Sequence, residues 1–305
     1  MWFKNLRLYR LTKPFNLSPE ALHERLTERS SRSCGSLEPF TYGWTPPLGR
    51  NSELLTHAAN GCIMVCGRKE EKVLPAAVVR EMLDEKIAAI EAEQARTVRR
   101  KEKEEMRQEV LLDLLPKAFS KSSLTHAYID PGEGWLVVDA ASAARAEELV
   151  SLLRETLGSL PAIPPAVRNA PSDVLTNWLK GQAVPGDFLV EDQCELRDPD
   201  EEGGVVRCIR QDLASDEIQS HLKAGKRVTR LAVQWREHLG CILSDDLSIK
   251  RLRFLDLIQE AAADMEADDE ASRFDADFSL MTLELSRFIP ALMKAFGGED
   301  ESAPG

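Results

Sequence analysis

Apolar residues recur along the chain with two periods, and each period predicts a different kind of element. Short runs rich in leucine, valine, isoleucine and aromatic residues, bounded by turn-forming residues, predict strands. Apolar residues spaced three or four apart predict helices. Strands are predicted at residues 3–11, 61–67, 124–129, 135–138, 187–196, 205–209, 228–235, 239–243 and 247–254. Helices are predicted from residue 18 and at residues 75–115, 142–157, 215–225 and 277–296. Strands and helices do not alternate strictly, so the pattern predicts an α+β fold rather than a doubly wound sheet.

The longest uninterrupted pattern covers residues 75–115, which contain no internal glycine or proline before Pro116. Apolar residues at helical spacing mark both ends of this stretch, whereas residues 99–109 are polar nearly all round. One continuous helix would be about 60 Å long, which exceeds the usual size of a small domain. The alternative is a pair of helices that is broken near the polar middle.

Basic residues in this segment share one face if the helix is continuous. At 100° per residue, four of them fall within about 60° of one another. They are Arg96, Arg100, Lys103 and Arg107. Three glutamates, including Glu102, fall on the opposite side. This stripe is a candidate for contacts with nucleic-acid phosphates, and the alternative is a solvent-exposed helix with ion pairs along its surface.

The formal net charge of −12 over 305 residues argues at first against a nucleic-acid partner. The charge is unevenly distributed, however. Residues 255–305 contain thirteen acidic and three basic residues, so the rest of the chain is close to neutral. A chain balanced in this way can present a basic surface, and net charge alone therefore does not exclude DNA.

Other features of the composition indicate a soluble protein in the reducing cytoplasm. No run of about eighteen apolar residues predicts a membrane-spanning helix. The first residues, MWFKNLRLYRLTKP, lack the apolar core of a signal peptide. Six cysteines are too few for a disulfide scaffold, and Cys62 and Cys66 lack the spacing of a zinc or redox pair.

The sequence contains no phosphate-binding loop, dinucleotide fingerprint, zinc-protease or nucleophile-elbow motif. Its five histidines are scattered. Asp275 and Asp277 could hold a metal, but two acids near a predicted helix start are more typical of capping charges. We therefore expect no metal, no cofactor and no enzymatic activity.

A second basic segment, residues 223–253, contains eight basic and three acidic residues. Spaced cations on a rigid surface suffice for phosphate binding without base recognition. The alternative is a charged edge that prevents strands from aggregating. The candidate DNA-binding residues outside the helical stripe are Lys121, Lys226, Arg227 and Arg230.

Eight sequence motifs occur in a characteristic order. They are WFKNLRLYRL, GWTPPLG, ANGCIMVCGRKEEKVLP, EAEQAR, LLPKAFS, GGVVRCIRQDL, GKRVTRLAVQW and RFDADFSLMT. In these motifs the chain resembles the RdgC family of bacterial recombination-associated proteins, from its first residue to about residue 298. The resemblance implies one family unit over residues 1–298, with sub-lobes roughly at 1–74, 75–120, 121–170 and 171–298. Residues 299–305 are then expected to form a disordered acidic tail.

The resemblance also implies a quaternary structure and a function. Family members form a ring-shaped homodimer of elongated, multi-lobed subunits, with antiparallel sheets and a positively charged central hole. They bind DNA with little sequence preference, and duplex better than single strands. They are nucleoid-associated, take part in replication-fork repair, and negatively regulate the RecA recombinase by occupying DNA.

Three residues acquire roles through the resemblance. Phe119, in LLPKAFS, matches a phenylalanine that helps to close the ring against the partner. Its alternative role is that of a core residue at the end of a helix. Arg210 and Gln211, in CIRQDL, match a basic residue and a glutamine near the ring closure and the DNA path. Where the family can have lysine, Arg210 keeps the charge but changes the donor geometry.

Two other functions compete with a DNA-enclosing ring. The protein could contact the recombinase directly through its acidic C-terminal third, with DNA binding secondary. It could also be a nuclease or another DNA-modifying enzyme, and this function predicts that a product forms only when a metal ion is present.

Overall fold

The computed structural model describes residues 1–49, 52–200, 203–256, 258, 260 and 269–300. Twelve strands lie in these residues. They are β1 Leu6–Leu11, β2 Phe40–Thr45, β3 Thr56–Ala59, β4 Cys62–Lys72, β5 Ser120–Asp130, β6 Trp135–Asp139, β7 Ala162–Ile163, β8 Phe188–Arg197, β9 Val205–Ile209, β10 Arg227–Trp235, β11 Leu239–Ser244 and β12 Ile249–Phe254.

Seven α-helices lie in the same described residues, and a short 3-10 turn, Leu115–Lys117, follows the third. The helices are α1 Pro19–Thr27, α2 Ala76–Gln94, α3 Arg100–Leu114, α4 Ala143–Leu157, α5 Pro171–Leu179, α6 Asp216–Lys223 and α7 Glu270–Ala295. None of the described helices is both long and apolar enough to cross a membrane.

The strands form one antiparallel sheet, so the predicted α+β class is confirmed, with one sheet in place of several. The strand order is β2-β4-β5-β6-β1-β12-β11-β10-β8-β9, with β3 paired to β4 and β7 paired to β1. β1 lies at the centre, where Leu6 pairs with Ile249 of β12, and residues Leu6 to Arg10 pair with β6 on the other side. We call the strands on the β2 side, up to and including β1 and β7, the first half-sheet. The strands from β12 to β9 form the second half-sheet.

The first half-sheet is covered on both faces. Alternate residues of its strands, such as Ile63 and Leu136, pack with α1 and α4 in one core. The residues between them, such as Met64 and Val137, pack in a second core with α7. Because both faces are buried, these strands read in the sequence as continuous apolar runs.

The second half-sheet is covered on one face only. The residues that face α5, α6 and α7 form the larger part of the second core, including Leu231, Trp235 and Leu243. Among the described residues, no helix packs on the opposite face of β8 to β12. This half of the sheet therefore exposes a broad surface to solvent.

The segment 75–115 forms two helices, which confirms the alternative of a break in its polar middle. Ala95 adopts a left-handed conformation at φ 50° and ends α2, and α3 begins at Arg100. Lys86 of α2 contacts Glu109 and Asp113 of α3 at 3.3 and 3.6 Å, so the helices fold back on each other. Their shared buried residues belong to neither main core. They are Val79, Val98, Met106, Val110 and Leu115.

The last helix begins earlier than predicted. Asp269 is the N-cap of α7 and accepts a hydrogen bond from the backbone N–H of Ser272 at 2.7 Å. Asp275 and Asp277 therefore lie inside the helix, and their interpretation as capping charges is wrong. Asp275 contacts His57 at 3.2 Å, and Asp277 contacts the amino group of Met1. Phe274 lies one turn before Phe278 and packs against the same core, so the apolar pattern of this helix begins earlier than the predicted start.

The predicted acidic tail, residues 299–305, lies partly within the described residues. Glu299 pairs with Val167 in a backbone bridge, and its carboxylate contacts Arg10 at 3.1 Å. Residues 301–305 lie outside the described residues.

The second core supplies a test of the fold. Phe288 of α7 is fully buried against Phe188 and Trp235, with ring centroids 6.3 and 5.4 Å apart. We expect Phe288→Ala to lower the free energy of unfolding by about 3–5 kcal/mol, because it leaves a cavity between the sheet and α7. The matched variant Leu283→Ala, on the half-exposed side of the same helix, should change it by less than about 0.5 kcal/mol. Denaturant unfolding measures both, and equal losses would contradict the described core.

His126 of β5 makes the stability dependent on pH. Burial lowers its pKa to about 4, against a hydrogen bond to the backbone of Pro47 that raises it, and nearby Arg145 lowers it further. The folded state therefore favours the neutral ring. As far as His126 is concerned, the protein is most stable above pH 6.5, where the ring is also neutral in the unfolded chain, and its free energy of unfolding decreases as the pH falls towards 4. We expect a loss of about 2–3 kcal/mol over that interval. Unfolding curves at several pH values should show a shallower loss in His126→Gln, and parallel curves would contradict this role.

Candidate nucleic-acid interface

The uncovered face of the second half-sheet is rich in basic side chains. Along each strand, apolar residues point to the α7 side and long polar residues point to solvent, as the two-residue period of a strand requires. Seven cations lie on this side of the sheet: Arg7 on the neighbouring β1, and Arg197, Arg207, Arg230, Lys250, Arg251 and Arg253 on the second half-sheet. Two acidic residues of the strands lie among them, Glu191 and Glu195. We call this surface the basic face.

A bulge in β12 places two consecutive cations on the basic face. Ile249 and Leu252 both pack in the core on the α7 side, so the two residues between them, Lys250 and Arg251, are directed away from it. The register with β11 shifts at this point, and Arg251 has a φ of 50°. A left-handed conformation costs an arginine about 1–2 kcal/mol. Bulges commonly redirect side chains at functional surfaces, and this one concentrates charge.

A second irregularity brings Arg230 to the same surface. Val228 and Leu231 both pack in the core, and the register between β10 and β8 shifts between Val228 and Arg230. Arg230 consequently lies beside β8 and β9, whose own cations project from the same side. The basic face is therefore built from five strands, β1, β8, β9, β10 and β12.

Glu195 organises the arginines on this face. Its carboxylate is 5% exposed and accepts hydrogen bonds from Nε of Arg197 at 2.9 Å and Nε of Arg207 at 2.8 Å. Arg230 contacts the same carboxylate at 3.3 Å. Burial raises the pKa of Glu195, but hydrogen bonds from Arg207 and Arg197 outweigh it and lower the pKa overall. One carboxylate shared by three guanidinium groups leaves the cluster positively charged.

Lys250 also lies in surroundings that have an excess of positive charge. Among the described residues its ammonium group has no ion pair or hydrogen bond. Burial lowers the pKa of Lys250, and the nearby guanidinium of Arg230 lowers it further. A half-buried, unpaired cation beside other cations is a site that favours an anion.

The four residues of the predicted helical stripe do not share one face. Arg96 lies in the loop before α3 and forms a two-point contact with Glu102 at 2.7 and 2.9 Å. Arg96 is separated from the other three because the chain leaves the helical conformation between the left-handed Ala95 and Arg99, whereas Arg100, Lys103 and Arg107 keep their helical spacing on α3. Arg100 and Lys103 are exposed on α3, whereas Arg107 contacts Glu104 at 3.7 Å.

The cations predicted near β10 fall into different environments. Lys226 is 15% exposed and contacts Asp198 and the carbonyl of Gly204 at 3.2 and 3.1 Å. Arg227 is exposed and pairs with Asp173 of α5. Arg230 is on the basic face, and Lys121 is exposed on β5 opposite Glu71. Lys226 therefore stabilises the β8–β9 turn.

Phe119, Arg210 and Gln211 are all exposed. Phe119 follows the 3-10 turn at the base of the helical pair and is 86% exposed, so its alternative role as a core residue is wrong. Arg210 follows β9 with a φ of 56°, and the backbone N–H of Gln211 donates to the carbonyl of Asp192. Gln211 lines an apolar groove of about 860 Å3 with Trp178, Phe188 and Leu213.

Sequence comparison with known proteins matches nearly the whole chain to one family. The family model described as "Putative exonuclease, RdgC" matches residues 1–299. The chain is 49% identical over 302 residues to Recombination-associated protein RdgC of Aeromonas hydrophila, covering 99% of this chain and 100% of that protein. It is 49% identical over 301 residues to the protein of that name from Pseudomonas aeruginosa, covering 98% of each chain. This chain belongs to the RdgC family.

The two names given within the RdgC family differ in the chemistry that they imply. One describes an exonuclease, and the other describes an association with recombination. Within the part of the chain that the structure describes, no group of three or more histidine, cysteine or acidic side chains is placed to hold a metal ion.

Sequence reasoning missed most of the basic face, including Arg7, Arg197 and Arg207, and weighed Lys250, Arg251 and Arg253 only as part of a charged segment. The segment IKRLRF in β12 contains a signal, since its cations flank apolar residues that must face a core. The motif VVRCI in β9 contains another. What the sequence did not show is that these strands lie side by side with one face uncovered.

Proposed function

We propose that this protein binds duplex DNA through the basic face, without sequence preference, and thereby limits access of the RecA recombinase to DNA. The observation that carries the proposal is a sheet face with seven cations and two acidic strand residues and, among the described residues, no covering helix. Arginine and lysine on a rigid surface contact phosphates, and phosphate contacts carry no base information.

The distribution of charge supports binding of DNA to the basic face rather than to the opposite side of the protein. Acidic residues such as Asp269, Glu270 and Asp275 lie at the start of α7, which packs on the opposite face of the sheet. A polyanion responds to the local potential of the surface that it approaches, rather than to the net charge of −12. The acidic side would discourage DNA from binding there.

We propose further that two subunits close into a ring around the duplex. Phe119 is a large apolar side chain with no core of its own, 86% exposed. A groove lined by apolar side chains, including Trp178 and Phe188, lies beside Gln211 and can receive an aromatic ring. The family resemblance implicates Gln211 in ring closure. In this arrangement, Phe119 of one subunit fills the groove of its partner. A small aromatic contact of this kind can open to admit DNA more readily than a large interface can.

A strand-exchange assay distinguishes inhibition by direct contact with the recombinase from inhibition by occlusion of DNA. The variant Arg100→Glu/Lys103→Glu reverses exposed cations of α3, and Arg207→Glu/Arg251→Glu reverses cations of the basic face. DNA occlusion requires that inhibition of strand exchange is lost together with DNA binding. Inhibition that survives complete loss of DNA binding would instead support a contact through the acidic C-terminal third.

The proposal treats the protein as a binding protein without nuclease activity. An end-labelled duplex incubated with the protein and Mg²⁺ or Mn²⁺ should remain intact. Mononucleotides that accumulate with time and disappear with a chelator would contradict this part of the proposal.

A further inference from the structure

The basic face contains a depression of about 390 Å3. Its lining includes Ile242 of β11, Asn5 just before β1, and polar residues of β8, β9, β10 and β12. Four cationic residues line it: Arg207, Arg230, Lys250 and Arg251. Glu195 is the acidic residue among those that line it, so the depression has an excess of positive charge.

As far as the structure describes the chain, Arg207 is hydrogen-bonded to Glu195 through Nε alone, which leaves its two terminal amino groups free to bind a ligand. Its Nε donates to Glu195 at 2.8 Å. In the described part of the chain, neither of its terminal amino groups has a hydrogen-bond partner. A guanidinium fixed through Nε presents its two terminal N–H groups as a rigid fork, and this geometry matches two oxygens of a phosphate.

Other polar groups beside the depression are also unsatisfied. The ammonium group of Lys250 has no partner among the described residues, as noted above. Ser244 pairs with Arg230 in the register, and its hydroxyl is buried without a hydrogen-bond partner in the same described part of the chain. Buried polar groups are normally satisfied, so an unsatisfied group beside converging cations points to a ligand.

We propose that this depression is a phosphate-binding site that receives one phosphodiester group of a DNA strand. The proposal rests on the proposed function and assigns its principal anchoring point. The forked guanidinium of Arg207 and the ammonium of Lys250 contact the phosphate oxygens, and Arg230 and Arg251 contribute charge from either side. Glu195 is a positioning residue, because it fixes the arginines without touching the ligand.

The two bulges provide the physical reason for the site. A regular β12 would direct Lys250 and Arg251 to opposite faces of the sheet, and one of the two charges would enter the core. The left-handed Arg251 instead keeps both on the same side. Local strain of this kind persists where the surrounding structure enforces it, and it clusters at binding sites.

The test uses the full chain and the dinucleotide d(TpT), which contains a single phosphodiester. Nuclear magnetic resonance follows the arginine Nε–H signals and the Lys250 ammonium during titration. We expect d(TpT) to shift the signals of Arg207 and Lys250 and to raise the pKa of Lys250. In Lys250→Gln the affinity for d(TpT) should fall severalfold, and the salt dependence of duplex binding should become shallower by about 0.9.

The control is Lys223→Gln, which removes one exposed cation from α6 on the opposite face of the same half-sheet. It should leave both quantities unchanged. Lys250→Gln removes an unpaired, half-buried charge, so its free energy of unfolding should be unchanged or higher. Equal behaviour of the two variants would overturn the site.

Three further probes decide what the site takes. Inorganic phosphate that binds there while d(TpT) does not would overturn the assignment to a DNA backbone. A short polyglutamate peptide that binds in place of d(TpT) would overturn it in favour of an acidic protein partner. Because these titrations contain no duplex, their results test the site without testing whether the protein binds duplex DNA. That function fails separately if the unaltered protein does not bind duplex DNA.

Discussion

Neutralising four cations of the basic face is expected to weaken duplex binding by roughly three orders of magnitude at 0.1 M salt. The variant combines Arg207→Gln, Lys250→Gln, Arg251→Gln and Arg253→Gln. Each lost phosphate contact also lowers the slope of log K against log salt by about 0.9, so the slope should fall by about three to four. Binding to a fluorescent duplex at several salt concentrations measures both effects.

A matched variant separates this effect from a change in net charge. It combines Lys13→Gln, Lys223→Gln, Arg273→Gln and Lys294→Gln, all exposed residues outside the basic face. Both variants lose four positive charges, so long-range repulsion by DNA increases equally. We expect the control to retain most of its affinity and its salt slope. Equal weakening in the two variants would mean that no particular surface binds DNA.

The fold should survive the four substitutions on the basic face. Glu195 loses one arginine partner but keeps Arg197 at 2.9 Å and Arg230 at 3.3 Å, so its buried carboxylate does not become unpaired. Circular dichroism and denaturant unfolding should therefore match the unaltered protein. A variant that binds poorly but unfolds normally attributes the loss to phosphate contacts.

Replacing Phe119 with alanine is expected to release the protein from circular DNA without unfolding it. Phe119 is 86% exposed, so the free energy of unfolding should change by less than about 0.5 kcal/mol. An aromatic anchor at an interface commonly contributes about 2–4 kcal/mol, so dimer closure should weaken by roughly 30- to 1000-fold. Sedimentation at several protein concentrations measures this loss.

The topological test loads the protein on circular and linear duplexes of one sequence and then raises the salt concentration. A closed ring remains on circles and slides off linear ends, because high salt removes phosphate contacts but does not open the ring. Phe119→Ala should leave both forms of DNA. Leu112→Ala, which truncates another exposed apolar residue on α3, is the matched control and should behave like the unaltered protein. Equal loss of the unaltered protein from both DNAs would contradict enclosure.

Local sequence patterns determined most of the individual elements. Ser18 followed by Pro19 predicted the start of α1, and the Ser18 hydroxyl accepts from the backbone N–H of Ala21 at 3.2 Å. The turn after Asp130 predicted the hairpin of β5 and β6. These features depend on a few neighbouring residues, and the physical preferences of those residues act in any tertiary context.

The break between α2 and α3 was predicted only as an alternative. No glycine or proline marks it, because Ala95 takes the left-handed conformation itself. The carboxylate of Glu91 in α2 accepts a hydrogen bond from the backbone N–H of Val98 in the linker at 2.8 Å, and Lys86 of α2 contacts Glu109 of α3 at 3.3 Å; these contacts hold the chain in this turn. The same break removes Arg96 from the predicted basic stripe, whereas Arg100, Lys103 and Arg107 remain at helical spacing on α3.

The sequence by itself determined the α+β class, nine of the twelve described strands, every described helix except α5, and membership of a family through motifs along its whole length, but it did not predict β2, β3 or β7. Tertiary structure alone decided where the charge is used. Arg7, Arg207 and Lys250 are separated by up to 243 residues in the chain, and only strand pairing brings them to one face. Whether a strand face is covered depends on the placement of every helix. Two bulges, which no local pattern announces, then direct neighbouring cations to the uncovered side.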